Sequence, residues 1–207
     1  MHQEVLTNEG AALFPVLAHF PGFYLAGGTA LALQIGHRVS IDFDLFRGEP
    51  ITPSLYPRVE RAFPFPANPL VNNSDELTVS VNGVKITFLY YPFPVLDPLE
   101  VYDGLPLLSV REIAATKAYT IGQRGFYKDY VDLYYVLAEG RTTLAEIIAN
   151  AEKKFGDAFN ARLFLEQLVY LGDVHDIEIQ FLKQVVTPKK LLAFFESSIR
   201  DAAPDLI

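Results

Sequence analysis

The sequence contains no cysteine. That excludes disulfides and thiolate metal sites, so any bound metal must be held by oxygen or histidine. No uninterrupted apolar stretch is long enough to span a bilayer, and no membrane partner is expected. The chain does not open on a basic segment followed by an apolar run, so a secretory leader is not expected. Positive charge is also scarce: 17 Lys+Arg against 25 Asp+Glu leave a net charge of -8. A chain this acidic lacks the broad positive field that phosphate backbones require, although a local basic groove stays open. These absences predict a soluble cytoplasmic protein. Apolar residues, by contrast, make up 50% of the 207 positions. That is enough to bury a core as one compact domain or as two small ones.

No repeat or low-complexity segment is present. Proline is concentrated between Gly48 and Asn73, at Pro50, Pro53, Pro57, Pro64, Pro66 and Pro69. This density argues against a sheet interior or a long helix. The segment is expected to be a surface connection with room for a short helix from Arg58 to Phe63, placed where a substrate loop could lie.

The first half reads as mixed α and β. A helix is expected over 8–20, interrupted by Pro15, then a strand over 23–26, a helix over 29–35 and a strand over 41–46. Strands over 77–81 and 84–90 flank Asn82-Gly83, the strongest short hairpin signal. A two-residue turn sets the register. Val81 then faces Val84, Val79 faces Ile86 and Leu77 faces Phe88 on an apolar side, while Ser80 faces Lys85 and Thr78 faces Thr87 on a polar side. The second half reads as helical. Ser109 with Glu112, and Thr143 with Glu146, have capping-box spacing. Thr187 followed by Pro188 opens a last helix. The fold class expected is α+β: a small mixed sheet with helices over 1–107, then a helical bundle over 108–207.

Two short segments carry chemistry. In the first, an apolar strand runs into Gly27 and Gly28 and then into a helix opened by Thr29. Glycines let backbone approach a ligand, and the amides of a helix start suit an anion. A Gly-Gly pair alone more often marks only a tight turn. In the second, Ser40, Asp42 and Asp44 alternate with Ile41, Phe43 and Leu45, so the carboxylates share one strand face. Like charges that close repel unless a cation lies between them, and Mg²⁺ prefers carboxylate oxygen. The alternative is an edge strand with a solvated acidic face, although aspartate is depleted in strands.

Together the segments say more. The stretch from Gly27 to Phe46 reads Gly-Gly-Thr-Ala-Leu-Ala-Leu-Gln-Ile-Gly-His-Arg-Val-Ser-Ile-Asp-Phe-Asp-Leu-Phe, with 13 residues between Gly28 and Asp42. It resembles the signature of the DNA-polymerase-β-like nucleotidyltransferase superfamily, and more specifically the AbiEii/AbiGii toxin family of abortive-infection and toxin–antitoxin systems. The resemblance extends over 108–137, with Lys117, Arg124, Lys128, Asp129, Asp132 and Leu133 in similar places, and only loosely into the helical tail.

The resemblance implies transfer of a nucleoside monophosphate from an NTP to RNA, tRNA included, or to a protein acceptor, with a cognate antitoxin as partner. Asp42 and Asp44 would hold Mg²⁺ as catalytic metal ligands, and Gly27, Gly28 and Thr29 would hold the triphosphate. Lys117 is a catalytic candidate, with a solvated surface position equally open. Arg38 and Arg124 are nucleotide-binding candidates. Arg38, with His37, equally suits closing the turn after Gly36, and Arg124, Lys128 and Asp132 suit surface ion pairs. Lys117 and Arg124 share a face only if one helix runs through Gly122, and Asp129 would cap a new helix if it breaks.

One departure stands out. The superfamily usually places a third carboxylate on a later strand, and here the polar-face positions of that strand are Lys85 and Thr87, with Glu76 nearby on its partner. The alternative reading is therefore a degenerate nucleotidyltransferase-fold binding protein without turnover.

Overall fold

The computed structural model describes all residues except Arg124, Asp173, His175, Asp176, Ile177, Leu206 and Ile207. The chain divides into two compact units, Met1–Ser109 and Val110–Ile207.

The first unit contains α1 (Asn8–Leu17), β1 (Tyr24–Ala26), α2 (Gly27–Ile35), β2 (Phe43–Arg47), α3 (Leu55–Ala62), β3 (Ala67–Asn72), β4 (Glu76–Val81), β5 (Val84–Tyr90), β6 (Glu100–Tyr102) and β7 (Leu105–Leu107). The strands form one mixed sheet in the order β3-β4-β5-β2-β1-β7-β6. The Asn82-Gly83 turn has positive φ at both residues, +48 and +81, as a type I′ hairpin requires. It sets the expected register, with Val81 opposite Val84, Val79 opposite Ile86 and Thr78 opposite Thr87.

Alternation separates the two faces of the sheet. Phe43, Leu45, Leu77, Val79, Ile86 and Phe88 are fully buried on one of them. Phe14 of α1 packs against Phe43, and Phe20 and Phe23 meet Phe88 edge-on at 4.9 and 5.1 Å. Truncating a phenylalanine in such a core costs about 3–5 kcal/mol. The opposite face carries Asp44, Thr87, Thr78 and Glu76.

The structure departs from the sequence expectations in several places. Pro15 lies inside α1 rather than interrupting it, and α1 ends at Leu17. The proline-rich segment is not only a connection, because it folds into α3 and β3. Pro69 sits in β3 itself. It is tolerated there because β3 is an edge strand, where one row of amides has no ladder partner, and the register shifts between Pro69 and Val71. The β6–β7 hairpin was not expected. Its turn, Asp103-Gly104, has φ of +48 and +80 and carries the same Asp/Asn-Gly signal, but on strands of three residues each.

The second unit is helical: α4 (Val110–Ile121), α5 (Tyr127–Ala138), α6 (Leu144–Phe155), α7 (Ala161–Leu168) and α8 (Pro188–Ala202). Thr143 and Glu146 form the expected capping box at the start of α6, and Pro188 opens α8 behind the Thr187 cap. Tyr130, Phe164, Leu168, Leu191 and Phe195 are fully buried. Two ion pairs are buried with them. Lys154 meets Glu112 at 2.6 Å, while Lys117 meets Asp129 at 2.5 Å and Asp132 at 2.7 Å. Among the described residues, no helix is long and apolar enough to cross a membrane.

Candidate active site

The site forms where β1 turns into α2. The helix begins at Gly27, so both glycines lie in its first turn rather than ahead of it. Gly27 has a φ of +66, a left-handed backbone that favours glycine. A second constraint reinforces the first. A β-carbon on Gly27 would lie 2.6 Å from Oδ2 of Asp44. That carboxylate therefore occupies the space a side chain would need. The first amides of α2 have no acceptor within the helix, and the positive end of its dipole lies there.

Asp44 is central in the sheet. Its register partners are Ala26 on β1 and Thr87 on β5. Asp42 lies one residue before β2, not within a strand over 41–46 as the sequence suggested. Its side chain is 38% exposed, and Lys85 Nζ approaches Oδ2 at 3.6 Å. This cation was not foreseen as a partner for Asp42, because the pairing of β5 with β2 is not local in sequence.

Thr29 and Arg38 both make contacts at the loop that precedes β2. Thr29 is buried. Its hydroxyl donates to the Asp42 carbonyl oxygen and lies 2.7 Å from Ser40 Oγ. One hydroxyl proton serves one acceptor, so Ser40 is the donor in the second bond. Thr29 thus fastens α2 to the backbone at Asp42, and only its amide shares the helix start with the glycines. Arg38 is 5% exposed, and its Nη1 donates to the Val39 carbonyl at 3.1 Å and contacts Ser40 Oγ at 3.5 Å. Its guanidinium braces the loop that delivers Asp42.

Lys117 belongs to the second unit, in the buried triad with Asp129 and Asp132. Asp129 binds this lysine, while Phe126 is the residue that precedes α5 as its N-cap. The helix also breaks as Gly122 and Gly125 suggested: α4 stops at Ile121. Arg124 itself lies outside the described residues.

On β5 the residue paired with Asp44 is Thr87, which is not acidic. Among the described residues, no group of three or more histidine, aspartate or glutamate side chains is arranged to hold a metal ion. The donor set nevertheless fits Mg²⁺. Two carboxylates leave its remaining positions to water and phosphate, which is how this ion is commonly held.

These features coincide with a family match. Residues 11–205 match the family described as Nucleotidyl transferase AbiEii toxin, Type IV TA system. The chain belongs to this family. It is a nucleotidyltransferase, and the AbiEii family gives it a place among toxin components. An uncharacterized protein of Aquifex aeolicus (strain VF5) is 32% identical over 160 residues, which are 74% of this chain and 76% of that one. The fold is shared with JHP933 from Helicobacter pylori, at a TM-score of 0.58 and 15% identity over 99% of this chain and 96% of the other. It is also shared with MenT4, a nucleotidyltransferase toxin from Mycobacterium tuberculosis H37Rv, at a TM-score of 0.59 and 17% identity over 93% of this chain and 84% of the other.

Proposed function

We propose that this AbiEii nucleotidyltransferase is a cytoplasmic, Mg²⁺-dependent toxin that moves a nucleoside monophosphate from an NTP to an RNA, tRNA included, or to a protein acceptor. A cognate antitoxin protein would restrain it. The observation that carries the reading is the packing of Gly27 against Asp44, which puts a helix start and a carboxylate at one point of the sheet.

In the reaction, an acceptor oxygen attacks the α-phosphorus. A new P–O bond forms, the bond to the bridging oxygen breaks, pyrophosphate leaves and the acceptor proton passes to solvent. Mg²⁺ would steady the charge on the phosphates and the leaving group. The amides of Gly27, Gly28 and Thr29 would seat triphosphate oxygens at the α2 start. Asp42 and Asp44 supply carboxylate oxygens, and the Thr29 and Arg38 bonds hold the Asp42 backbone in place. Domain roles follow the sequence division, with 1–107 carrying the nucleotide and 108–207 assisting. Lys117 is proposed as a catalytic group on the strength of the family resemblance, as is phosphate binding by Arg38 and Arg124. Mainly positioning and charge neutralisation are required of the protein.

The test is incubation of the protein with each labelled NTP, Mg²⁺ and total cell RNA or protein extract, beside Asp42→Asn/Asp44→Asn. Label transferred to RNA, or to a protein, identifies the acceptor class. Equal labelling by the double variant overturns the assignment of the site.

A further inference from the structure

A cation stands on the acidic face of the sheet. Lys85 lies two residues before Thr87 on β5, and Thr87 is the register partner of Asp44, so all three share that face. Lys85 Nζ is 3.6 Å from Oδ2 of Asp42. This is ion-pair range but too long for a hydrogen bond. Among the described residues the ammonium has no other ionic partner and no hydrogen bond. Its protons are therefore left to solvent or to a ligand.

A pair this exposed adds little stability. What it changes is the charge around Asp42 and Asp44. Two Mg²⁺ ions a few ångströms apart need carboxylates around them to offset their mutual repulsion. On β5 neither Lys85 nor Thr87 is acidic. Glu76 stands on β4, which β5 separates from β2, and accepts from the Thr78 hydroxyl at 2.5 Å. A second ion would thus meet an ammonium where it needs an anion. The charges nevertheless balance. A third carboxylate with a second Mg²⁺ would add one net positive charge, and Lys85 adds the same by itself.

We propose that Asp42 and Asp44 hold one divalent ion and that Lys85 supplies the second cation, binding a phosphate oxygen of the nucleotide. The proposal rests on the metal-binding reading above and deepens it. Before metal binds, the ammonium pairs with Asp42. An ion arriving at that carboxylate repels it. Neighbouring ligands of an octahedral Mg²⁺ are about 3 Å apart. A phosphate oxygen that shares the ion with Asp42 therefore comes within reach of an ammonium already beside that carboxylate. The flexible four-carbon stem of lysine carries the charge across, and a charge-assisted N–H···O bond holds it there.

The test uses the full chain and the preformed equimolar complex of Mn²⁺ with inorganic tripolyphosphate, which presents the triphosphate without a base. Calorimetry measures uptake of the complex. Equilibrium dialysis counts bound Mn²⁺ as the excess over Asp42→Asn/Asp44→Asn. One Mn²⁺ per chain is expected, and two overturn the proposal. Lys85→Met is expected to take up the complex roughly tenfold or more weakly, although it binds Mn²⁺ alone no worse than wild type. Lys85→Arg keeps the charge and should retain most of the uptake. Undiminished uptake by Lys85→Met, or equal loss by Lys85→Arg, overturns the proposal. Weaker binding of Mn²⁺ alone by Lys85→Met marks a general disturbance of the site and overturns it too. If wild type takes up no more complex than Asp42→Asn/Asp44→Asn, the metal reading itself falls. If only that double variant loses uptake, the metal site stands and the role of Lys85 falls.

Discussion

Gly27 and Asp44 are packed so closely that a β-carbon on the glycine would lie 2.6 Å from the aspartate Oδ2. The two residues are far apart in sequence, yet each restricts what the other position can hold.

Gly27→Ala is therefore expected to do two kinds of damage. The left-handed backbone costs about 1–2 kcal/mol for a side chain, and the β-carbon displaces the Asp44 carboxylate. Gly83 provides the control, because its φ is +81 but nothing lies within 4 Å of a β-carbon there. Gly83→Ala should lower thermal stability without affecting transfer, whereas Gly27→Ala should lose stability and transfer together. Normal transfer by Gly27→Ala would refute the role of this contact.

Lys85 and a metal ion compete for Asp42. The pair is partly exposed, so it is worth only about 0.2–1 kcal/mol. Lys85→Met should tighten Mn²⁺ binding by a small factor, up to roughly fivefold. Titration calorimetry without nucleotide measures this, and weaker binding would show that the lysine does not oppose the cation.

Removing Lys117 leaves Asp129 and Asp132 buried as like charges. Breaking a buried pair in this way costs about 3–5 kcal/mol, so Lys117→Met should melt much earlier. Assayed well below its own melting temperature, the variant is also expected to transfer no label. Full transfer by this early-melting protein would make the lysine structural alone.

Tyr135 has a pKa pushed up to about 12, first by burial and then by the charges of Tyr134 and Glu139, and its hydroxyl donates to the Gln184 carbonyl. The folded value exceeds the unfolded one of about 10. Its stabilising contribution is thus complete below pH ~10 and is lost as pH rises toward ~12. Denaturant melts across this range should fall less steeply for Tyr135→Phe than for the parent protein. Identical slopes would remove Tyr135 from the alkaline transition.

Local signals were legible wherever a few adjacent residues dictate the outcome. Asn82-Gly83 specified a turn that only positive φ can close, and with it every cross-strand pair of β4 and β5. Thr143 with Glu146, and Thr187 with Pro188, marked helix starts because caps satisfy amides a few residues away. The spacing from Gly28 to Asp42 and Asp44, with the residues around it, carried the family. What the sequence could not specify is which distant groups share space. The parallel pairing of β2 with β5 sets Thr87 beside Asp44 and brings Lys85 to Asp42. Tertiary packing also committed Thr29 and Arg38 to the loop before β2, buried Lys117 between two aspartates and admitted Pro69 to a strand at the sheet edge. Turns and caps are decided by backbone dihedrals and bonds within a few residues. Side-chain partners are decided by strand order and burial, which depend on the whole chain at once.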